Sequence, residues 1–343
     1  MNTVINNIVA RIAVLRGGRY SVEVDVITPS GFGRYAAPLE ANPLLYTVDA
    51  YRGVSEIDEI IGPELIGFDS QDQELIDSYL WEIDGTENFS HVGANTALAI
   101  SIAVAKAAAS SKGIPLYRYI GGTFSTEIPV PMLLFAGDSE FDYMVIVRDI
   151  TEIRDVVDAA AEMKKLAGKA SLDGLSKASE MASDELGVDV AIGLIEKGNH
   201  DLEELLTLIE EHNVAYVKPA SDEEELYLEL MAETHEVFVD GEKLFRSKDI
   251  LDKRYYNALS IKPINFGTLT DVYNVVNDVK SEKIVPIMAE ATFESADEAL
   301  PHLAVGLKCP AVVLDKGSLV KINELIRVAE DLGEKARIIT FEG

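Results

Sequence analysis

From Thr126 onward, short β-branched runs alternate with amphipathic helical stretches, and this alternation constrains the fold more than any other feature of the chain. Eight such runs can be read: EIPVPM, YMVIVR, VDVAIGLI, VAYVKP, EVFVDG, ALSIKP, IVPIMA and AVVLDK. Stretches with helical periodicity separate most of them, for example DLEELLTLIEEH, DEEELYLELMAET and TLTDVYNVVNDVK. Eight apolar strands with helices between them predict a closed β/α barrel rather than an open sheet. The link from EIPVPM to YMVIVR is too short for a helix, so those two strands are expected to pair antiparallel. The segment GKASLDGLSKASEMASDELG, from Gly168 to Gly187, reads as a helical stretch with breaks, a mobile or irregular insertion.

Catalytic and binding groups of such barrels sit at the carboxyl ends of the strands. Those ends carry Glu196, Lys218, Asp240 and Lys262, each 22 positions after the one before. One βα unit per step explains the spacing and places four charges of alternating sign side by side at the barrel mouth. Partly buried charges need partners, and the alternation suggests that Lys218 bridges Glu196 and Asp240. The five His residues show no pair at ligand spacing on one helix face, and Gly17-Gly18 and Gly121-Gly122 do not open a helix after a strand as a phosphate loop would.

The first 125 residues follow another pattern. YSVEVDVI alternates polar and apolar positions, Thr28-Pro29-Ser30-Gly31 turns, and FGRYAAP follows, a hairpin or meander within residues 9–36. Three helical patterns come next, Val48–Ile61, Asp72–Leu80 and the Ala-rich Asn95–Ser111. The chain of 343 residues thus divides at the Gly121-Gly122 linker into a cap, 1–125, and a barrel, 126–343. Its net charge of −29 disfavours nucleic acid and anionic membranes as partners. Cys309 is the single cysteine, which excludes an intrachain disulfide and fits a reducing, cytoplasmic location. No basic stretch followed by an apolar run opens the sequence, and no apolar stretch is long enough to span a bilayer.

These residues resemble the enolase family along nearly the whole chain. The most specific match is the family signature Leu-Asp-Gly-Thr-x-Asn-x-Ser-x-x-Gly-Ala-Asn-Ala, present here as Ile83-Asp84-Gly85-Thr86-Glu87-Asn88-Phe89-Ser90-His91-Val92-Gly93-Ala94-Asn95-Thr96. YSVEVDV with GFGRYAAP is similar to the opening meander, ALSIKPINFGTLTDV to the strand with the catalytic lysine, and KINELIRVAEDLG to the last helix. The resemblance implies an α/β enolase fold, an N-terminal α+β cap on a C-terminal (β/α)8-type barrel, here with a shortened catalytic-loop region. It also implies a homodimer formed through the cap. Enolases take the C2 proton of 2-phosphoglycerate with a lysine and stabilise the enolate dianion with two Mg²⁺ held by three carboxylates. By resemblance, Lys262 stands at the base position and Asp240 at the third metal-ligand position.

The remaining site positions depart from the family. The first metal aspartate falls on Ile195, with Glu196 one residue later, and the second metal carboxylate falls on Lys218. The mobile loop Ser-Gly-Ala-Ser-Thr becomes Leu39-Glu40-Ala41-Asn42-Pro43, and the Gly-Gly-Ser-His loop becomes Ala136-Gly137-Asp138-Ser139. The glutamate of Gln-Glu-Phe-Met is matched by Asp142, and the Gly-Asp-Glu-Gly-Gly loop has no counterpart. The phosphate-binding Ser-His-Arg-Ser becomes Ala289-Glu290-Ala291-Thr292, and the second active-site lysine falls near Val313, with Lys316 close by but not aligned. Without at least two of three carboxylates a divalent ion lacks hard oxygen ligands, and without the metals the dianion lacks its counter-charge. The expected protein is therefore enolase-like without phosphopyruvate hydratase activity, a binding, scaffold or regulatory protein with an unidentified protein partner. No metal cofactor is expected, Mg²⁺ being implied only for a true enolase. Two alternatives stand beside it: an enzyme with metal-independent chemistry using Lys262 as base, and a divergent true enolase.

Overall fold

A computed structural model of the protein describes residues 2–41, 43–166, 171–198, 200–246 and 248–339. The chain forms two compact units. The first comprises Met1–Ser125, Ile261–Val276 and Ala289–Leu307, and the second Thr126–Ser260, Asn277–Met288 and Lys308–Gly343.

The first unit opens with the meander read from the sequence: β1 (Asn7–Val14), β2 (Tyr20–Ile27) and β3 (Phe32–Ala36), all antiparallel. Val22, Val24 and Val26 are fully buried, as the period of two requires. α1 (Ala50–Glu56) continues through a wide turn, Ile57–Ile61, into the short α2 (Gly62–Leu65). α3 spans Gln73–Asp84, α4 Ala94–Lys112 and α5 Leu116–Gly121. α4 is buried nearly all round, and its small residues let β3 approach: a Cβ on Gly33 would lie 1.9 Å from the Ala103 carbonyl.

The family signature is a structural turn between α3 and α4. The buried Asp84 carboxylate accepts hydrogen bonds from the His91 and Val92 amides at 3.0 and 2.6 Å, from the Thr86 amide at 3.2 Å and from the Thr86 hydroxyl. Asn95 clamps both the amide and the carbonyl of Val48. Bonds to a charged acceptor are the strong kind, so this motif fixes the turn between α3 and α4.

The eight expected runs supply the eight strands of one sheet. After a two-residue β4 (Glu127–Ile128) come β5 (Val130–Gly137), β6 (Phe141–Val147), β7 (Val190–Glu196), β8 (Val214–Lys218), β9 (Phe238–Val239), β10 (Ala258–Ile261), β11 (Val285–Ala289) and β12 (Ala311–Asp315). Their order is β10-β11-β12-β5-β6-β7-β8-β9, and a parallel bridge from Asp240 to Ala258 joins the two ends into a barrel. β5 pairs antiparallel with β6, as the short link predicts, and β6 also pairs antiparallel with β7. The first run differs from the reading in one respect. Glu127–Ile128 leaves the barrel and pairs with β13 (Arg337–Ile338), because Pro129 has no N–H to carry the ladder onward.

Between and around the strands lie α6 (Ile153–Leu166), α7 (Leu172–Leu186), α8 (Leu202–Glu211), α9 (Glu224–Glu233), α10 (Leu269–Ser281), α11 (Ala299–Gly306) and α12 (Leu319–Leu332). The expected irregular insertion is corrected here. Residues 167–170 lie outside the described residues, but the rest of the segment is the unbroken α7. Ser171 caps it, the Ser179 and Ser183 hydroxyls bond back to carbonyls within it, and Leu175, Ala178, Ser179 and Ala182 bury one face. The serines thus satisfy themselves inside the helix. Cys309 is buried, and burial pushes its thiol up to about 12 against the opposing charge of Lys280. Among the described residues no helix is long and apolar enough to cross a membrane.

Candidate functional site

Strand register brings the sequence-predicted residues of the second unit to one rim. Asp142 on β6 is the register partner of Ile195 on β7, and Ile195 is the partner of Lys218 on β8. Asp240 follows β9 directly. Glu196 faces the other way from Ile195, as alternation along a strand demands.

The expected pairing of Lys218 with Asp240 and Glu196 does not form. The Lys218 ammonium lies 2.6 Å from the Glu242 carboxylate instead, with both side chains mostly covered. Asp240 is fully buried and takes its hydrogen bonds from neutral donors. Oδ1 accepts from the Glu242 amide at 2.8 Å and the Ser260 amide at 3.1 Å, and Oδ2 accepts from the Tyr216 and Ser260 hydroxyls. Burial, reinforced by the Asp240 charge, pushes the Tyr216 phenol well above its ordinary range, so it remains a donor. The physical reason for the correction is local. Glu242, two residues beyond Asp240, gives its amide to one carboxylate and its side chain to Lys218, through a tight Asx-type turn. Gly241 permits that turn, since a Cβ there would meet the Tyr256 ring at 2.2 Å.

Glu196 is likewise satisfied without Lys218. One oxygen accepts from the His200 amide and approaches His200 Nδ1 at 2.9 Å, and the other accepts from the Ala220 amide at 2.7 Å. His200 stacks on Phe141, with ring centroids 4.7 Å apart. Asp142 is over a third exposed and pairs with Lys197 at 2.8 Å. Asp138, in the loop that replaces Gly-Gly-Ser-His, caps the β5–β6 turn by accepting from the Glu140 and Phe141 amides at 2.8 Å and from the Tyr143 hydroxyl at 2.5 Å.

In the first unit, Lys262 follows β10 and lies 3.0 Å from Glu40 Oε2. Glu40 belongs to the segment that replaces the family's mobile loop, whose Asn42 lies outside the described residues. Burial works against the charged form of Glu40, but the Lys262 ammonium, the Thr292 hydroxyl and the Ala41 amide outweigh it and hold the carboxyl below its ordinary range. Next to it, Arg16 pairs with the buried Glu290 at 3.2 Å. Glu40, Tyr216, Glu242, Ser260 and His200 escape the sequence reading. Only the Asp-Gly-Glu turn at 240–242 carried a local signal, that of an aspartate bonding two residues onward.

The two Mg²⁺ that the resemblance implies do not fit this donor set. Ile195 offers no oxygen, Lys218 is a cation, and both oxygens of Asp240 are engaged by internal donors. Among the described residues no group of three or more His, Cys, Asp or Glu side chains is arranged to hold a metal ion.

Tyr216→Phe is expected to lower stability by about 2 kcal/mol, because it removes one donor from a buried carboxylate. Lys218→Ala should cost little further once Glu242 has become Ala. Urea denaturation of the variants and of the double variant measures both. A Tyr216→Phe protein as stable as the wild type, or a Lys218→Ala cost unchanged by Glu242→Ala, would contradict this arrangement.

Comparisons with known proteins agree with the architecture. The N-terminal domain of enolase matches residues 5–120, and the C-terminal TIM barrel domain of enolase matches residues 207–342. The enolase of Methanothermobacter thermautotrophicus is 32% identical and that of Methanosphaera stadtmanae 30%, each over 97% of this chain and 98% of the relative. The enolase of Bdellovibrio bacteriovorus is 28% identical over 92% of this chain and 93% of its own. The Methanosphaera alignment runs over 406 positions; 97% of 343 residues fills about 333 of them, so about 73 positions face gaps in this chain. Residues 121–206, which carry β5 to β7 and the Ala136-Gly137-Asp138-Ser139 loop, fall outside both family matches.

Proposed function

The chain belongs to the enolase family, and from that premise we propose that it is a member without phosphopyruvate hydratase activity, serving as a binding, scaffold or regulatory protein. The observation that carries this reading is the state of Asp240. The one metal-ligand position still occupied by a carboxylate has both oxygens committed to Tyr216, Ser260 and Glu242. A metal there would have to displace four hydrogen bonds in a fully buried place and do so beside a lysine. Magnesium dehydrates reluctantly and demands near-octahedral oxygen geometry, and loss of such electrostatic stabilisation removes the largest contribution to this kind of catalysis.

Lys262 supports the same reading. A base lysine must give up its proton, and the buried Glu40 carboxylate 3.0 Å away favours the charged ammonium. This weighs against metal-independent proton abstraction by Lys262 as well. Purified protein given 2-phosphoglycerate and Mg²⁺ in a coupled assay for phosphoenolpyruvate is expected to show no turnover above the background of a Lys262→Ala control. Turnover abolished by that substitution would overturn the proposal.

We propose further that two copies associate through the cap. The family signature lies there, and β1 and β2 expose Val14 at 70% and its register partner Tyr20 at 58%. Exposed apolar side chains gathered on one sheet are a common mark of an interface. Light scattering at micromolar concentration is expected to give twice the mass of the chain, and Val14→Lys with Tyr20→Lys to give the single mass. A wild-type monomer would refute the association.

A further inference from the structure

α8 and α9 lie side by side in the helix layer around the barrel, both within the second unit. A helix in that layer normally turns one apolar stripe inward and a polar face outward. These two depart from that pattern. α8 carries five apolar side chains, and only Leu205 among them is buried. α9 buries Tyr227 and Leu230 yet turns Leu228 outward at 47% exposure. The exposed positions Glu225, Leu228, Glu229, Ala232 and Glu233 recur at steps of three and four, which places them on one stripe of the helix. Carboxylates thus flank a leucine and an alanine on a face open to solvent.

The charge of this face is not balanced within the chain. α6, α7, α10 and α12 each carry at least one Lys or Arg, and Glu162 and Glu324 pair with bases on their own helices. α8 and α9 carry neither Lys nor Arg. Among the described residues, Glu210, Glu211, Glu225, Glu229 and Glu233 have no basic partner. Acids in a first turn suit the helix dipole, but Glu210, Glu211 and Glu233 stand in last turns, where it disfavours them. Glu225, Glu229 and Glu233 also repel one another at i, i+4 spacing. Helix stability gives no reason for this arrangement, whereas a basic partner does.

We propose that the face formed by α8 and α9 docks a basic amphipathic helix of another protein. Lys or Arg residues of that helix, spaced four apart, meet the three carboxylates of the α9 stripe, and its apolar side seats on Leu228 and Ala232. α8 extends the acidic, part-apolar surface beside them. The same charge repels nucleic acid and anionic membranes. The proposal deepens the binding-protein reading by naming the chemistry of the partner, and rests on that reading only for the role the partner plays.

The probe is a fluorescein-labelled synthetic peptide of Leu, Ala and Lys, about five helical turns long, with Lys at i, i+4 and i+8 beside one Leu-Ala stripe. Fluorescence anisotropy at about 100 mM salt reads its binding. The wild type is expected to bind it with saturation, and a scrambled peptide of the same composition about tenfold more weakly. Combining Glu225→Lys, Glu229→Lys and Glu233→Lys should weaken the amphipathic peptide by about tenfold or more. Glu330→Lys, Asp331→Lys and Glu334→Lys together change the net charge equally and should leave the affinity within about twofold. Leu228→Ser should weaken the amphipathic peptide severalfold and leave the scrambled one unchanged. If the α9 triple variant does not fold, Glu225→Gln with Glu229→Gln removes charge at exposed positions and should weaken binding in the same sense. No binding to the wild type, equal binding of the scrambled peptide, or an equal loss in the control variant at 330, 331 and 334 would overturn the proposal. The hydratase assay reads another part of the molecule. Turnover there would overturn the non-catalytic reading and leave the peptide result standing, and failure of the peptide would leave that reading standing.

Discussion

A buried carboxylate closes the barrel. β9 is two residues long, and the ring of strands is completed beyond it by Asp240, whose backbone bridges to Ala258. Its amide bonds to the Val217 carbonyl, and its side chain reaches Tyr216 on β8 and Ser260 on β10. One residue therefore ties three strands together where the ladder is thinnest. A carboxylate out of water is costly unless its lone pairs are filled. Here two hydroxyls and two amides fill them without any counter-ion. The position that the resemblance assigns to a metal ligand serves here as a staple, and Tyr216, Glu242 and Gly241 are shaped around that role.

The other charges at the strand ends follow the same logic. Lys218 is paired with Glu242 and Lys262 with Glu40, and Glu196 takes hydrogen bonds from two backbone amides beside His200. Each finds its balance within the chain. Catalytic sites keep charges unsatisfied so that ligands can satisfy them. A rim whose charges are paired internally is what supports the proposed non-catalytic reading.

Much of the fold was legible in the sequence because it rests on patterns local to each element. The β-branched runs, the 22-residue step of the strand ends and the short first connection all survive in the structure. The boundaries that moved did so for reasons that periodicity cannot weigh, such as Pro129 ending a ladder and the α7 serines bonding within their own helix. The charged residues at the rim were legible too, but not their partners. Tyr216 and Ser260 read as ordinary strand residues, and Glu40 is 222 positions from Lys262, with nothing in the sequence to link them. Lys218 was given to Asp240 on spacing alone, whereas Glu242, reached through a turn, lies closer. Partner choice depends on rotamers and loop geometry, which no sequence period encodes.

The central claim is that internal donors have replaced the metal at Asp240. Titration of the protein with Mn²⁺, followed by the electron paramagnetic resonance signal of the free ion, tests it directly, since Mn²⁺ prefers the same oxygen ligands as Mg²⁺. The account predicts that free Mn²⁺ rises in step with the total added and is the same in the wild type and in Asp240→Asn. Stoichiometric uptake by the wild type that Asp240→Asn abolishes would contradict it.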